Sequence, residues 1–370
     1  MLITAAVVYR PGGPFELAQV EIDTPGPGEV LVRMAGSGVC HSDLIVRDQW
    51  YPVPLPVVLG HEGAGVVEAV GEGVSRVAVG DHVVLSYGFC GTCRHCVTGA
   101  PAYCADFIPR NFAGTRPDGS TTLRSAEGPV HGLFFGQSSF ATYALARLAS
   151  VTKVPADLPL HLLGPLGCAV QTGVGSVLHA LRCGAGSSIA VFGAGSVGCS
   201  AVLGAVVAGC TTIVALGRNP ARLRLAGELG ATHVIDLRST PDPVASLRDL
   251  TGGTGVDYSI EATGVPHVLR MAVDALHTRG VCGLVGAAAP GTEAALEMSG
   301  LMFGRQVRGI VEGDSVPQCT IPVLAELYRG GRLPFDRMIA RYPFHRINEA
   351  AHDAATGKCV KPVLTFEEAA

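Results

Sequence analysis

The sequence predicts an α/β protein of two domains, one mostly β and one built on a doubly wound parallel sheet. Three observations lead there. At 370 residues and 48% hydrophobic composition the chain exceeds what one core serves comfortably. Its first part consists of short apolar runs broken by glycine and proline. From about Gly167 the texture changes to alternating strand and helix patterns.

Taken in order, Met1 to Arg10 is apolar but lacks a cationic start and a small-residue cleavage site, so it reads as a first strand and not a signal peptide. Glu29 to Met34 and Gly65 to Val70 continue the β-rich pattern as far as about Ser150. An apolar helical stretch from Gly167 to Leu181 leads into a strand at Ser188 to Phe192, the turn Gly193-Ala-Gly-Ser-Val-Gly198, a helix to Gly209 and a strand at Thr212 to Leu216. That is a βαβ unit. Further strands fall at His233 to Asp236, Val256 to Glu261 and Gly280 to Val285, the rhythm of a doubly wound sheet. After about Gly313 the chain is expected to rejoin the first domain, giving domains at 1–169 and 170–312 with a return over 313–370. The most apolar stretch, Ser188 to Cys210, is interrupted by glycines and fits strand, turn and helix better than a membrane span.

Composition narrows the function. A net charge of -4 and a pI near 6.3 argue against nucleic acid, whose binders carry a strongly basic surface. Small, neutral or mildly charged partners fit better. Twelve cysteines in a long chain without a secretion signal point to metal ligation in a reducing cytoplasm and away from disulfides. Cys90, Cys93, Cys96 and Cys104 have the form C-x2-C-x2-C-x7-C, in which four thiolates complete a closed tetrahedral Zn2+ shell. Cys40, His61 and Cys168 instead offer two sulfurs and an imidazole from distant segments, leaving a fourth position open for water or substrate. Two zinc ions per chain are expected, one structural and one catalytic. Cys183, Cys199, Cys210, Cys282, Cys319 and Cys359 read as small buried hydrophobes, Cys282 within a strand.

The glycine turn predicts dinucleotide binding. Gly193, Gly195 and Gly198 allow a tight turn, close approach of a pyrophosphate and close helix packing, with the backbone of Ser196 and Val197 at the helix start facing the phosphates. About twenty residues on, NAD-binding units place an acidic residue that holds the ribose 2'-OH. Here stands Gly217, followed by Arg218, Arg222 and Arg224. A carboxylate that would repel a 2'-phosphate is missing and guanidinium groups that could bind one are present, so NADP(H) is expected over NAD(H). The alternative is that these arginines form a solvated helix face.

The segments Gly38-Val-Cys-His-Ser-Asp-Leu44, Arg47-Asp-Gln49, Pro54-Leu-Pro-Val-Val-Leu-Gly-His-Glu-Gly-Ala-Gly65 and Phe135-Gly-Gln-Ser-Ser-Phe-Ala-Thr-Tyr143 resemble the zinc-dependent alcohol dehydrogenases of the medium-chain dehydrogenase/reductase superfamily, most closely their aryl (benzyl) alcohol branch. The resemblance runs nearly the full length. It implies a GroES-like catalytic domain beside a Rossmann domain. It also implies that Cys40, His61 and Cys168 hold the catalytic zinc with Glu62 beside them, and that Asp43 orients His61. Ser42 would take the alcohol proton as hydride passes to nicotinamide. Many relatives end that relay with a histidine where this chain has Ile45, so His41, water or the ribose must substitute. By the same likeness Thr172 borders the nicotinamide, Val285 and Gly286 reach its amide through backbone groups, and Lys361 and His41 meet the pyrophosphate. Trp50 either lines a pocket for a planar substrate or packs in the core. The expected activity interconverts a primary aromatic or allylic alcohol and its aldehyde, in a homodimer or homotetramer. The alternatives are a thiol-dependent formaldehyde dehydrogenase and a non-catalytic zinc-binding redox module.

Overall fold

A computed structural model describes residues 1–366. The chain divides into two compact units. The first holds Met1–Cys168, Val316–Arg329 and the segment from Ile339 onward, and the second holds Ala169–Ser315 and Gly330–Met338. The sequence reading assigned all of 313–370 to the first domain, whereas residues 330–338 group with the second.

The first unit is β-rich. Its strands are β1 (Leu2–Val8), β2 (Glu16–Ile22), β3 (Glu29–Gly38), β4 (Val57–Val58), β5 (Glu62–Val70), β6 (His82–Leu85), β7 (Leu123–Ser125), β8 (Gly128–Val130), β9 (Tyr143–Arg147) and β10 (Val151–Lys153). Those of the second unit are β11 (Ser188–Phe192), β12 (Thr212–Gly217), β13 (His233–Asp236), β14 (Val256–Glu261), β15 (Leu276–Leu284) and β16 (Gln306–Gly309). The chain then returns as β17 (Ile339–Pro343) and β18 (Lys361–Thr365).

Two sheets build the first unit, in the orders β4-β1-β2-β7-β8 and β10-β6-β5-β3-β18-β17, with β9 also paired to β3. Strand β3 is the hub. Val30, Leu31, Val32 and Met34 are all buried, so both of its faces lie in apolar surroundings. Burying such a side chain contributes about 1.5–3 kcal/mol. Its antiparallel register with β5 runs from Val30 opposite Val70 to Gly38 opposite Glu62, and β18 sets Val363 opposite Gly38 on the other side. Three strand ends therefore converge where β3 stops. Gly38 has to be glycine there, because a Cβ would lie 1.9 Å from Glu62 Oε2.

The second unit carries a parallel sheet in the order β13-β12-β11-β14-β15-β16. Every strand expected from the sequence in this unit is present, and β15 begins earlier than its glycine-led pattern suggested. Helices after β12 and β13 start on a cap followed by proline. Asn219 Oδ1 accepts from the N–H groups of Ala221 and Arg222, at 3.0 and 3.3 Å, and Asp242 Oδ1 from that of Ala245, at 2.9 Å. The expected helix at 167–181 begins as an α-helix over Ala169–Gly175, all buried, and continues as a π-helix over Ser176–Ala180. Cys183, Cys199, Cys210 and Cys282 are buried as expected. Cys359 is only half-buried and Cys319 is exposed, against the reading. Cys319 lies on the outer face of the helix Pro317–Arg329, which turns Thr320, Ile321, Leu324 and Ala325 inward. Among the described residues no helix is long and apolar enough to cross a membrane.

Candidate active site

The site is organised by the carboxylate of Asp43, in the helix His41–Arg47 that follows β3. Asp43 is fully buried. Its Oδ2 accepts from the Cys40 N–H at 2.9 Å, and its Oδ1 accepts from the Gly60 N–H at 3.2 Å and meets His61 Nδ1 at 2.8 Å. One carboxylate thus ties together the two segments that carry Cys40 and His61. The His61 carbonyl accepts from Gln137 Nε2 at 2.9 Å, and that amide also donates to the Ser86 carbonyl at 3.2 Å. Ser86 in turn donates to the Gly167 carbonyl at 2.6 Å, fixing the loop that presents Cys168.

These constraints gather the sulfurs of Cys40 and Cys168, a ring nitrogen of His61 and a carboxylate oxygen of Glu62 within 4.8 Å of one another, all four residues buried. His61 Nε2 is buried without a hydrogen-bond partner while Nδ1 is held by Asp43. Burial opposes charge on this imidazole, but Asp43 and then Cys40 outweigh it and hold its pKa well above the ordinary value. Cys40 is held well below the usual thiol range, chiefly by donation from Cys168 and against burial, with Lys361 and His61 assisting. An orphaned imidazole nitrogen facing two thiol sulfurs has the donor chemistry of a zinc site.

Lys361 lies inside the protein. It is 1% exposed, and its Nζ donates to both oxygens of Glu62, at 2.9 and 2.8 Å, and to the Val39 carbonyl at 3.3 Å. It is the buried counter-ion of Glu62. Burial still raises the Glu62 pKa, with Lys361 opposing. His41 is exposed at the start of its helix, where a phosphate could reach it, and Ser42 is half-buried with its Oγ 3.8 Å from Cys40 Sγ. Ile45 is buried in that helix, and Trp50 is 48% exposed, so Trp50 is not a core residue.

An aromatic wall that sequence reading missed borders the site. The His61 ring lies 4.7 Å from that of Phe135 and 5.5 Å from that of Phe134. Phe112 packs edge-on to both, at 5.3 and 5.8 Å, and Phe107 lies 6.2 Å from Phe135. Phe135 reaches His61 from a strained backbone: Leu133, Phe135 and Ser138 have φ of 56°, 50° and 58°. Ser138 Oγ stabilises that turn by accepting from the Phe134 N–H at 2.9 Å and donating to the Val58 carbonyl at 2.6 Å. No hydrophobic period announces such a turn. The contiguous aromatic pair was its only signal.

The other cysteine cluster is as expected. The sulfurs of Cys90, Cys93, Cys96 and Cys104 lie within 4.8 Å of one another. Backbone N–H groups of Thr92 and Cys93 point at Cys90 Sγ, at 3.4 and 3.2 Å, and pull that thiol down to about 6.

In the second unit the glycine turn lies between β11 and the helix Ser196–Ala208. Gly193 has φ of 109°, and a Cβ on Gly198 would fall 1.7 Å from the Gly193 carbonyl, so strand and helix approach as closely as the motif requires. Above Gly195 a Cβ would meet nothing within 4 Å, leaving room for a phosphate over the first N–H groups of the helix, those of Ser196 and Val197. Gly217 ends β12, with Arg218 exposed and Arg222 half-buried just beyond it. Asp236, opposite Gly217 on β13, is paired to Arg238 at 2.7 Å. The N–H groups of Val285 and Gly286 both donate to the Glu261 carbonyl, at 2.9 Å. Thr172 Oγ1 is 3.3 Å from Glu312 Oε2, a partner that sequence reading did not single out.

Residues 26–156 match the alcohol dehydrogenase GroES-like domain family, and residues 196–327 the zinc-binding dehydrogenase family. The chain is 47% identical over 364 residues to geraniol dehydrogenase of Castellaniella defragrans, across 98% of this chain and 97% of that one. Among solved structures it is similar to benzyl alcohol dehydrogenase from Acinetobacter calcoaceticus, with TM-score 0.96, 47% identity and coverage of 99% and 100%. It is also similar to an alcohol dehydrogenase zinc-binding domain protein from Burkholderia ambifaria, with TM-score 0.97, 54% identity and coverage of 100% of each chain.

Two outcomes follow from this geometry. Lys361→Met leaves the Glu62 carboxylate buried and unpaired, a loss of about 3–5 kcal/mol, and adding Glu62→Leu should restore much of it; urea denaturation of the single and double variants measures both. Cys93→Ala should lower bound zinc by one per chain and lower the melting temperature, since structural zinc contributes directly to folding. Full zinc content with unchanged melting would overturn the four-cysteine assignment.

Proposed function

The chain belongs to the zinc-dependent alcohol dehydrogenases of the medium-chain dehydrogenase/reductase superfamily, and we propose that it interconverts a primary aromatic or allylic alcohol and its aldehyde using NADP(H). The observation that carries this reading is the buried Cys40, His61 and Cys168 donor set, with its orphaned Nε2, beside the wall of Phe134 and Phe135. Flat aromatic faces suit planar, unsaturated substrates. The names geraniol dehydrogenase and benzyl alcohol dehydrogenase among the relatives support the same class.

Cys40, His61 and Cys168 would hold the catalytic zinc, and Cys90, Cys93, Cys96 and Cys104 the structural one. Zinc in the first position supplies Lewis acidity that lowers the pKa of a bound alcohol, and the dinucleotide supplies a hydride acceptor. Asp43 fixes the ring of His61 so that Nε2 faces the two sulfurs. Lys361 neutralises Glu62 and, by its charge, favours the thiolate of Cys40. Ser42 receives the alcohol proton. Ile45, aliphatic and buried, cannot carry it further, so His41 or solvent takes it from there.

The dinucleotide would lie on Gly193, Gly195 and Gly198, and Arg218 and Arg222 would bind its 2'-phosphate. A Cβ on Gly217 would meet only ordinary contacts, the nearest at 3.4 Å, so packing does not exclude a carboxylate there. The one on the next strand, Asp236, is neutralised by Arg238. We further propose a cytoplasmic homodimer or homotetramer. In support, β16 is an exposed sheet edge flanked by Met298, Met302 and Phe303, at 78%, 85% and 68% exposure.

Initial rates with NADPH and NADH against benzaldehyde, cinnamaldehyde and geranial test the reading. NADPH should be preferred by at least about tenfold in kcat/KM, and Gly217→Asp with Arg218→Ile should reverse the order. A preference for NADH would reduce the arginines to a solvated face and leave the zinc chemistry standing. Ser42→Ala should lower kcat by roughly one to two orders of magnitude with less effect on cofactor affinity. Light scattering of the same preparation should give a mass above one chain; a monomer would overturn the assembly.

A further inference from the structure

Immediately after β16 the backbone makes three consecutive left-handed steps, at Glu312, Gly313 and Asp314, with φ of 50°, 67° and 52°. Only the middle one is glycine, and residues with a Cβ adopt this region at a cost. The surroundings hold the turn in place. A Cβ on Gly313 would lie 2.5 Å from the Gln171 carbonyl and 2.8 Å from that of Thr172, and one on Gly175 would lie 2.5 Å from the Gly313 carbonyl. The turn is therefore pressed against the helix Ala169–Gly175 with no room for a side chain on either glycine. Asp314 is ion-paired to Arg308, which also donates to the Ala180 carbonyl at 2.8 Å. What the turn delivers is the Glu312 carboxylate, whose Oε2 accepts from Thr172 Oγ1 at 3.3 Å and from Gln171 Nε2 at 3.1 Å.

We infer that Glu312 is a positioning residue for the cofactor: through Thr172 it sets a negative charge beside the nicotinamide and favours the oxidised, cationic ring over the reduced one. This rests on the reading that Thr172 borders the nicotinamide. The oxidised ring carries a formal positive charge that the reduced ring lacks, so a fixed carboxylate nearby stabilises one redox form selectively. A packing role would stabilise both forms alike. Strain gathered at a point where a charged side chain meets a cofactor-facing hydroxyl is what such a function requires, because an ordinary turn residue would not need it. The bias bears on direction: holding the oxidised ring more tightly makes the bound cofactor a weaker hydride acceptor and shifts the bound equilibrium toward aldehyde reduction.

The test is the ratio of dissociation constants for NADP+ and NADPH, by fluorescence titration of the zinc-loaded enzyme, in the native protein and in Glu312→Gln, which keeps the side chain's shape and hydrogen bonds but removes its charge. The expected result is a loss of roughly tenfold in affinity for NADP+ relative to NADPH, with unchanged melting temperature. Glu312→Asp, which keeps the charge but shortens its reach, should give an intermediate ratio and serves if the first variant fails to fold. An unchanged ratio in whichever variant folds, or equal weakening of both forms, would overturn the inference and reduce Glu312 to packing. A native enzyme that binds neither NADP(H) nor NAD(H) would instead overturn the dinucleotide reading on which it rests.

Discussion

Everything in the first unit's site depends on one buried carboxylate. Asp43 meets the backbone of Cys40, the backbone of Gly60 and the ring of His61. A carboxyl group with no exposure is tolerated because each of its oxygens is occupied, and its contact to Nδ1 in turn fixes which ring nitrogen of the imidazole is left open. A neutral amide in its place could not accept from all three partners. The cost of burying the charge is offset locally by hydrogen bonds, and the return is rigidity at the point where two distant segments must stay in register.

A second buried pair, Glu62 with Lys361, works on another principle. Its partners come from strands on either side of β3, so the ion pair reports whether β5 and β18 are both seated. Replacing such pairs by apolar residues often costs little stability, which makes charge balance beside two sulfurs the better account of its presence. The surroundings break local rules where the chemistry lies. Left-handed residues at 133–138 and at 312–314 present Phe135 and Glu312, and regular structure resumes on either side of each.

Much of this was legible in the sequence, and the pattern of what was not is informative. The parallel sheet, the glycine turn and the four-cysteine cluster were readable because each rests on spacing or periodicity, which the backbone enforces, whereas the Cys40, His61 and Cys168 set, drawn from distant segments, was legible through the family resemblance. The pairing of Lys361 was not readable because its partner, Glu62, lies 299 residues away, and composition cannot say whether a lysine is solvated or paired. For Trp50 the sequence left pocket and core open, since an aromatic in a loop carries no sign of which way it faces, and its exposure removes only the core. The wall of Phe134 and Phe135 and the carboxylate of Glu312 depend on positive φ at residues that do not advertise it. The π-helix was hidden because five residues, Ser176–Ala180, are too short a run to betray a change of pitch.

The place of β18 has a bearing on how the molecule is made. Its strand lies between β3 and β17, inside the sheet and not at its edge, and it brings the lysine that neutralises Glu62. During synthesis, then, the strands from β1 to β10 emerge first yet cannot complete their sheet until β18 has been translated. The second unit, whose strands are consecutive and whose pairings are local, has all of its sheet on hand much earlier. Until then the nascent chain carries an open β3 edge and an acid still accessible to water, exposed to the same chaperones that guard any unfinished sheet. Completion of the sheet and closure of the site are one event, and it waits for β18.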